Sequence, residues 1–184
     1  MSLASTAFAG EAVHISKNPT PLAPEEFYRA GEIQLGLSAL LGVRQSPANN
    51  LGRAGLARRS PWNKTTAWGV DAEMNYFITR NFGIGVEQEY FNVGGRPLWN
   101  SAFNMYLRAP LHQGSRWAPY LFTGVGVIYT GGQGRFEAHG GGGLEYRFTQ
   151  KLGTFVDGRY EWVNGRRDVI PQFGSFRWGM RFVF

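Results

Sequence analysis

From Gly31 to the last residue, apolar side chains recur at every second position, the period of a pleated strand rather than a helix. In the stretch 31–44, Ile33, Leu35, Leu37, Ala39, Leu41 and Val43 share one face, opposite Glu32, Gln34, Ser38 and Arg44. The same alternation predicts strands over 65–78, 82–93, 98–108, 118–130, 135–148, 153–163 and 173–184. Short polar stretches such as Thr79-Arg80-Asn81 and Thr149-Gln150-Lys151 read as tight turns, with a longer one over 109–117. The remaining connections (45–64, 94–97, 131–134 and 164–172) fall on the opposite end. The pattern therefore predicts an all-β chain of eight antiparallel strands.

The charges obey the same period. Glu32, Asp71, Glu73, Glu87, Glu89, Glu137, Glu145, Asp157 and Glu161 all take the non-apolar parity, as do Arg108, Arg147, Arg159, Arg177 and Arg181. Gln88 and Asn92 are the main polar residues on the apolar face. Eight greasy faces need a cover, and no helical segment is available to supply one. A two-sheet sandwich could bury them against each other. The predicted strands of 11 to 14 residues are longer than soluble strands usually are (about 5–6) and long enough to cross a bilayer (about 9–11). Trp, Tyr and Phe gather near strand ends, and the polar face mixes Gly with both charges. These features favour an up-and-down transmembrane barrel with a narrow interior filled by side chains.

Composition agrees. Mean hydropathy is −0.27, with no apolar run near the ~18 residues of a transmembrane helix. A membrane barrel hides its apolar face in alternation, so this value does not exclude one. Of 184 residues, 26 are Gly and none is Cys, which rules out disulfides and thiol chemistry. The net charge of +6 does not point to nucleic acid, because the basic residues are not interleaved with stacking aromatics. Residues 1–9 end in Ala7-Phe8-Ala9 and are expected to be the remnant of a secretory signal peptide. Residues 10–30, with Pro19, Pro21 and Pro24, read as a periplasmic tail or linker, and 31–184 as the barrel.

No catalytic site, metal site or cofactor is expected. The histidines are His14, His112 and His139, and only His139 lies in a strand, where it is expected to be a bonded interior residue. Glu73, Glu87, Glu89, Glu145, Arg147, Asp157, Arg159, Glu161, Arg177 and Arg181 are expected to form an interior charge network that closes the barrel rather than lining a pore. Arg53, Arg58, Arg59 and Lys64 form a basic loop suited to the phosphates of lipopolysaccharide. No nucleic-acid partner is expected, and the chain is expected to be monomeric.

The last residues read Trp178-Gly179-Met180-Arg181-Phe182-Val183-Phe184. A terminal Phe preceded by Phe182, Met180 and Trp178 resembles the signal read by the barrel assembly machinery of bacterial outer membranes. Together with Leu121–Tyr129 and Gly140–Phe148, this makes 31–184 similar to the OmpA/OmpX-like eight-stranded barrels. That resemblance implies an integral protein of a Gram-negative outer membrane, without catalysis and with a plugged interior. The layout of 136–184 also resembles the PagL-like lipid A deacylases. Their His-x-Ser-Asn motif corresponds here to Tyr160-Glu161-Trp162-Val163-Asn164, which lacks the His and the Ser, so the resemblance implies a shared fold without the activity. A lipid A-modifying hydrolase and a small-solute channel remain the alternative functions, and a soluble lipocalin-like barrel would require inverted faces.

Overall fold

The computed structural model describes residues 26–44, 66–93, 96–164 and 173–184. They form eight strands: β1 (Glu32–Arg44), β2 (Thr66–Phe77), β3 (Phe82–Val93), β4 (Arg96–Arg108), β5 (Trp117–Thr130), β6 (Gln133–Arg147), β7 (Leu152–Val163) and β8 (Phe173–Val183). Each strand pairs antiparallel with its sequence neighbours, and β1 also pairs with β8, so the sheet closes into a barrel. Closure leaves no open sheet edge.

The alternation carries through to burial. In β2, exposed and buried side chains alternate over its whole length. Outward-facing Leu37 is 60% exposed, Leu121 64% and Trp178 69%, whereas the strand acids and Arg108, Arg147, Arg159, Arg177 and Arg181 at the opposite parity are buried. No second layer of described residues covers the outer face.

Turn chemistry fixes the register at both ends. In the two tight turns a Thr hydroxyl accepts from the backbone N–H groups two and three residues on: Thr79 from Asn81 (3.2 Å) and Phe82 (2.9 Å), Thr149 from Lys151 (3.2 Å) and Leu152 (3.1 Å). At the other end, β5 and β6 join through Gly131 and Gly132 alone, both with positive φ (58° and 80°). A two-residue turn of this kind matches the strand twist but demands left-handed backbone at both positions, which Gly supplies without steric cost. This tight turn is why β6 starts at Gln133, two residues earlier than the periodicity alone gives.

Three apolar layers divide the interior. Near the loop end Leu40, Ala67, Phe91, Leu98, Ile128, Val163 and Phe173 pack together. Further down lies an aromatic group of Phe77, Tyr106, Tyr120, Phe122 and Phe155. At the end where β1 begins and β8 ends, Phe27 and Tyr28 pack with Ala118. The last residues of the segment read as a tail are thus part of the barrel. Tyr28 donates to the Arg116 carbonyl (2.8 Å), Arg147 Nη1 donates to the Phe27 carbonyl (3.2 Å), and Arg108 Nη2 to the Arg29 carbonyl (3.0 Å). The guanidiniums of Arg108 and Arg147 lie 4.9 and 4.7 Å from the Tyr28 ring centre. Burial pushes the pKa of the Tyr28 phenol up, so the stopper stays neutral.

The seam between β1 and β8 is the tightest test of closure. A Cβ added at Gly179 would collide with the Leu37 carbonyl and lie 2.6 Å from the Ser38 Cβ. Gly179→Val is therefore expected to destabilise the barrel by about 1–3 kcal/mol, the usual cost of overpacking. Urea unfolding in detergent micelles, followed by gel migration of unboiled samples, checks this; an unchanged midpoint would contradict it.

Candidate functional site

Strand pairing draws the interior charges into a ladder along the barrel axis. At the terminus end, Arg108 Nη2 reaches Glu32 at 2.7 Å and Arg147 Nη2 reaches it at 3.4 Å. Arg147 also pairs with Glu145, two residues away on the same face of β6. Arg181 then bridges Glu145 (2.8 Å) and Glu73 (2.6 Å). Arg177 holds Asp157 with two hydrogen bonds of 2.8 Å and turns its remaining nitrogen to Glu87 (3.1 Å), Asp71 (3.2 Å) and Glu73 (3.4 Å). Arg159 grips Glu87 through two hydrogen bonds (2.6 and 3.0 Å) and touches Glu89 at 3.0 Å. Such two-point grips are the strong geometry for a guanidinium and a carboxylate.

Neutral groups complete the rungs. Tyr120 donates to Asp157 (2.6 Å) and Tyr106 to Glu73 (3.3 Å). Asn100 donates to Glu89 (2.9 Å) and Ser38 to Asp71 (3.1 Å). Aromatic rings sit between rungs, with the Arg181 guanidinium 4.1 Å from the Phe155 ring centre and that of Arg108 3.6 Å from Phe77. These rings exclude water while presenting a face that attracts cations.

Of the ten residues read as an interior network, Glu73, Glu87, Glu89, Glu145, Arg147, Asp157, Arg159, Arg177 and Arg181 join this connected ladder. Glu161 is equally buried and accepts from Ser175 (3.0 Å). Glu32, Asp71 and Arg108 belong to the ladder although the sequence reading did not select them; their parity was the available signal. Of the predicted assembly signal, Trp178, Phe182 and Phe184 project outward and are exposed, and Met180 is half-buried on the same face. Arg53, Arg58, Arg59 and Lys64 lie outside the described residues.

The His139 Nδ1 lies 3.0 Å from Glu137 and its Nε2 lies 2.7 Å from Asn104 Oδ1, so both ring nitrogens face partners other than a nucleophile. Asp71, Glu87 and Glu89 each place a carboxylate oxygen within 4.8 Å of the others. Arg159 and Arg177 already bridge these acids, and two guanidiniums at that point repel a metal ion.

No protein-family model and no curated protein matches the chain. Solved structures do. The chain is similar to Neisserial surface protein A (TM-score 0.61, 17% identity, covering 84% of this chain and 99% of that one). It is similar to the N-terminal β-barrel domain of OprF from Pseudomonas aeruginosa (TM-score 0.58, 12% identity, 85% and 99%). The outer membrane protein OprG of the same organism is a third (TM-score 0.58, 10% identity, 87% and 99%). The fold is therefore a closed eight-stranded antiparallel β-barrel, the fold of these outer-membrane proteins.

The ladder makes a quantitative demand on Arg177. Arg177→Met would leave Asp71 and Asp157 buried without their cation, and removal of one partner from a buried ion pair costs about 3–5 kcal/mol. Arg177→Met combined with Asp157→Asn is expected to recover part of that loss. Unfolding free energies of the wild type and the variants in one detergent check both statements; a neutral Arg177→Met would contradict the first.

Proposed function

We propose that this protein is an integral outer-membrane barrel with a closed interior and a non-enzymatic role, structural or as a surface contact. One observation carries the reading: a continuous outer band of exposed Leu, Val, Trp, Tyr and Phe on a barrel whose strand carboxylates, with Arg108, Arg147, Arg159, Arg177 and Arg181, are turned inward and buried. Soluble proteins rarely expose so large an apolar surface. Hydrocarbon accepts it, provided every backbone group is paired, and barrel closure meets that condition.

The interior supports closure over conduction. The ladder runs from Glu32 at one end to Glu89, with the layer around Phe91 and Ile128 above it and the Tyr28 stopper below. An eight-stranded barrel has room for its own side chains and little more. Under this reading the assembly machinery recognises Trp178, Met180, Phe182 and Phe184 during insertion, and the protein acts as a monomer. The loop arginines Arg53, Arg58 and Arg59, with Lys64, face lipopolysaccharide phosphates, which a guanidinium binds in two-point fashion.

Purified protein is expected to float with lipid vesicles, to migrate differently boiled and unboiled, and to show no discrete conductance steps in planar bilayers. Sedimentation apart from the vesicles would contradict the membrane assignment, and steady single-channel steps would contradict closure. Lipid A mass spectra are expected to be identical with and without expression; a lost acyl chain would mark a hydrolase instead. For the basic loop, the triple variant Arg53→Ala, Arg58→Ala, Arg59→Ala is expected to lower lipopolysaccharide affinity about tenfold or more, measured by surface plasmon resonance at fixed salt. Equal affinity would reject that contact.

A further inference from the structure

The outer face is not uniformly convex. Across β8, β1, β2 and β3, an open groove of about 880 Å³ lies between Trp178 on one side and the Tyr90–Trp99 pair on the other, whose ring centres are 4.8 Å apart. The groove exists because two outward positions carry only a methyl group. Ala39 lies between Val70 and Trp178, and Ala72 between Leu37 and Gln88. The strands carrying Trp178 and Tyr90 are three inter-strand spacings apart, roughly 14 Å.

One edge of the groove is polar. Gln88 faces Ser101 across the β3–β4 pair, both outward and exposed. Ser101 donates its hydroxyl to Gln88 Oε1 (2.6 Å), and Gln88 Nε2 donates one N–H to the Asn100 carbonyl (2.9 Å). A carboxamide has two N–H groups and a hydroxyl oxygen can accept as well as donate. After these bonds, the pair still has one free N–H on Gln88, which lines the groove, and acceptor capacity on the Ser101 hydroxyl and the Gln88 carbonyl. In hydrocarbon, no water is present to take them.

We infer that this groove binds an acyl chain of a loop-side leaflet lipid, and that Gln88 and Ser101 take a hydroxyl group carried near the head of that chain. The inference rests on the membrane reading given above. A chain hydroxyl accepts from the spare Gln88 N–H and donates to the Ser101 oxygen, whereas an ester carbonyl could satisfy only the first. A second barrel is the poorer occupant, because its convex wall cannot reach a floor set between tall aromatic walls. The Tyr90–Trp99 pair lies one step nearer the loops than Gln88 and Ser101 and three residues from the loop ends of β3 and β4, which puts the polar pair just beneath the loop-side aromatics.

The test uses the full chain inserted in vesicles of phosphatidylcholine mixed in equal parts with phosphatidylcholine bearing α-hydroxylated acyl chains, followed by gentle detergent transfer and native mass spectrometry. The wild type is expected to retain one lipid, with the hydroxylated form enriched several-fold and at most about tenfold, as one or two neutral hydrogen bonds allow. Ala72→Phe fills the floor and is expected to cut retention about tenfold. Should that variant fail to fold, Ala39→Leu probes the same floor. Gln88→Leu combined with Ser101→Ala is expected to keep the lipid and lose the preference for the hydroxyl. Insertion without a retained lipid, retention indifferent to the floor variants, no hydroxyl preference in the wild type, or a lipid-free dimer broken by Ala72→Phe would each overturn the groove assignment. Failure of the wild type to insert at all is a separate result that removes the membrane reading along with it.

Discussion

Closure of β1 upon β8 is the contact on which everything else in this barrel depends. An alternating strand has two unlike faces, and only a sheet joined to itself can turn all of one face inward. Here that face carries nine buried carboxylates and the buried guanidiniums of Arg108, Arg147, Arg159, Arg177 and Arg181, with Arg135 half-buried toward the loop end. An open sheet would leave two strands of unpaired backbone and a row of charges with no common interior. The register at the seam, with Gly36 opposite Arg181 and Leu40 opposite Arg177, is what delivers Arg177 and Arg181 across β1 to Asp71 and Glu73 on β2.

The ladder of ion pairs is better understood as a specificity device than as a source of stability. Taking charges out of water costs several kcal/mol per ion, and good pairing does little more than offset it. The ladder acts by penalising alternatives. A slip of one residue in any strand would move its apolar set inward and expel its charges onto the outer face. In hydrocarbon each expelled Arg or Lys costs about 2–4 kcal/mol near the midplane. A barrel built this way has one acceptable register. The Thr hydroxyls of the tight turns and the Gly131-Gly132 hairpin set that same register locally, so local and global preferences agree.

Parity was legible in the sequence almost completely, because a period of two is a local property. The eight strands and the inward direction of the charges follow from it directly. Height along the barrel axis was not legible, because it depends on strand stagger, which pairing decides. Leu40, Phe91 and Phe173 share the parity of the charges and look like interruptions of a polar face; three-dimensional pairing gathers them into an apolar layer at one end. Arg108 and Glu32 were marked by parity alone, and the contact between them joins positions 76 residues apart in the chain. The Phe27–Tyr28 stopper left no signal, since a short segment after Pro24 has no period and its anchors are backbone carbonyls. The outer groove was hidden for a related reason: Ala39 and Ala72 fit the apolar pattern as well as Leu does, and only their adjacency makes a hollow.

The central claim is that the odd-numbered side chains of β1 meet lipid while the even-numbered ones meet other side chains. The chain contains no Cys, so single cysteines can be placed at each position from Ile33 to Val43 and labelled with a nitroxide without interference. Electron paramagnetic resonance in vesicles then compares collision with oxygen, which dissolves in hydrocarbon, and with a water-soluble nickel chelate. The account predicts high oxygen and low nickel accessibility at positions 33, 35, 37, 39 and 41, and low values of both at 34, 36, 38 and 40. Nickel access along the odd-numbered positions, or an absence of the two-residue period, would contradict it.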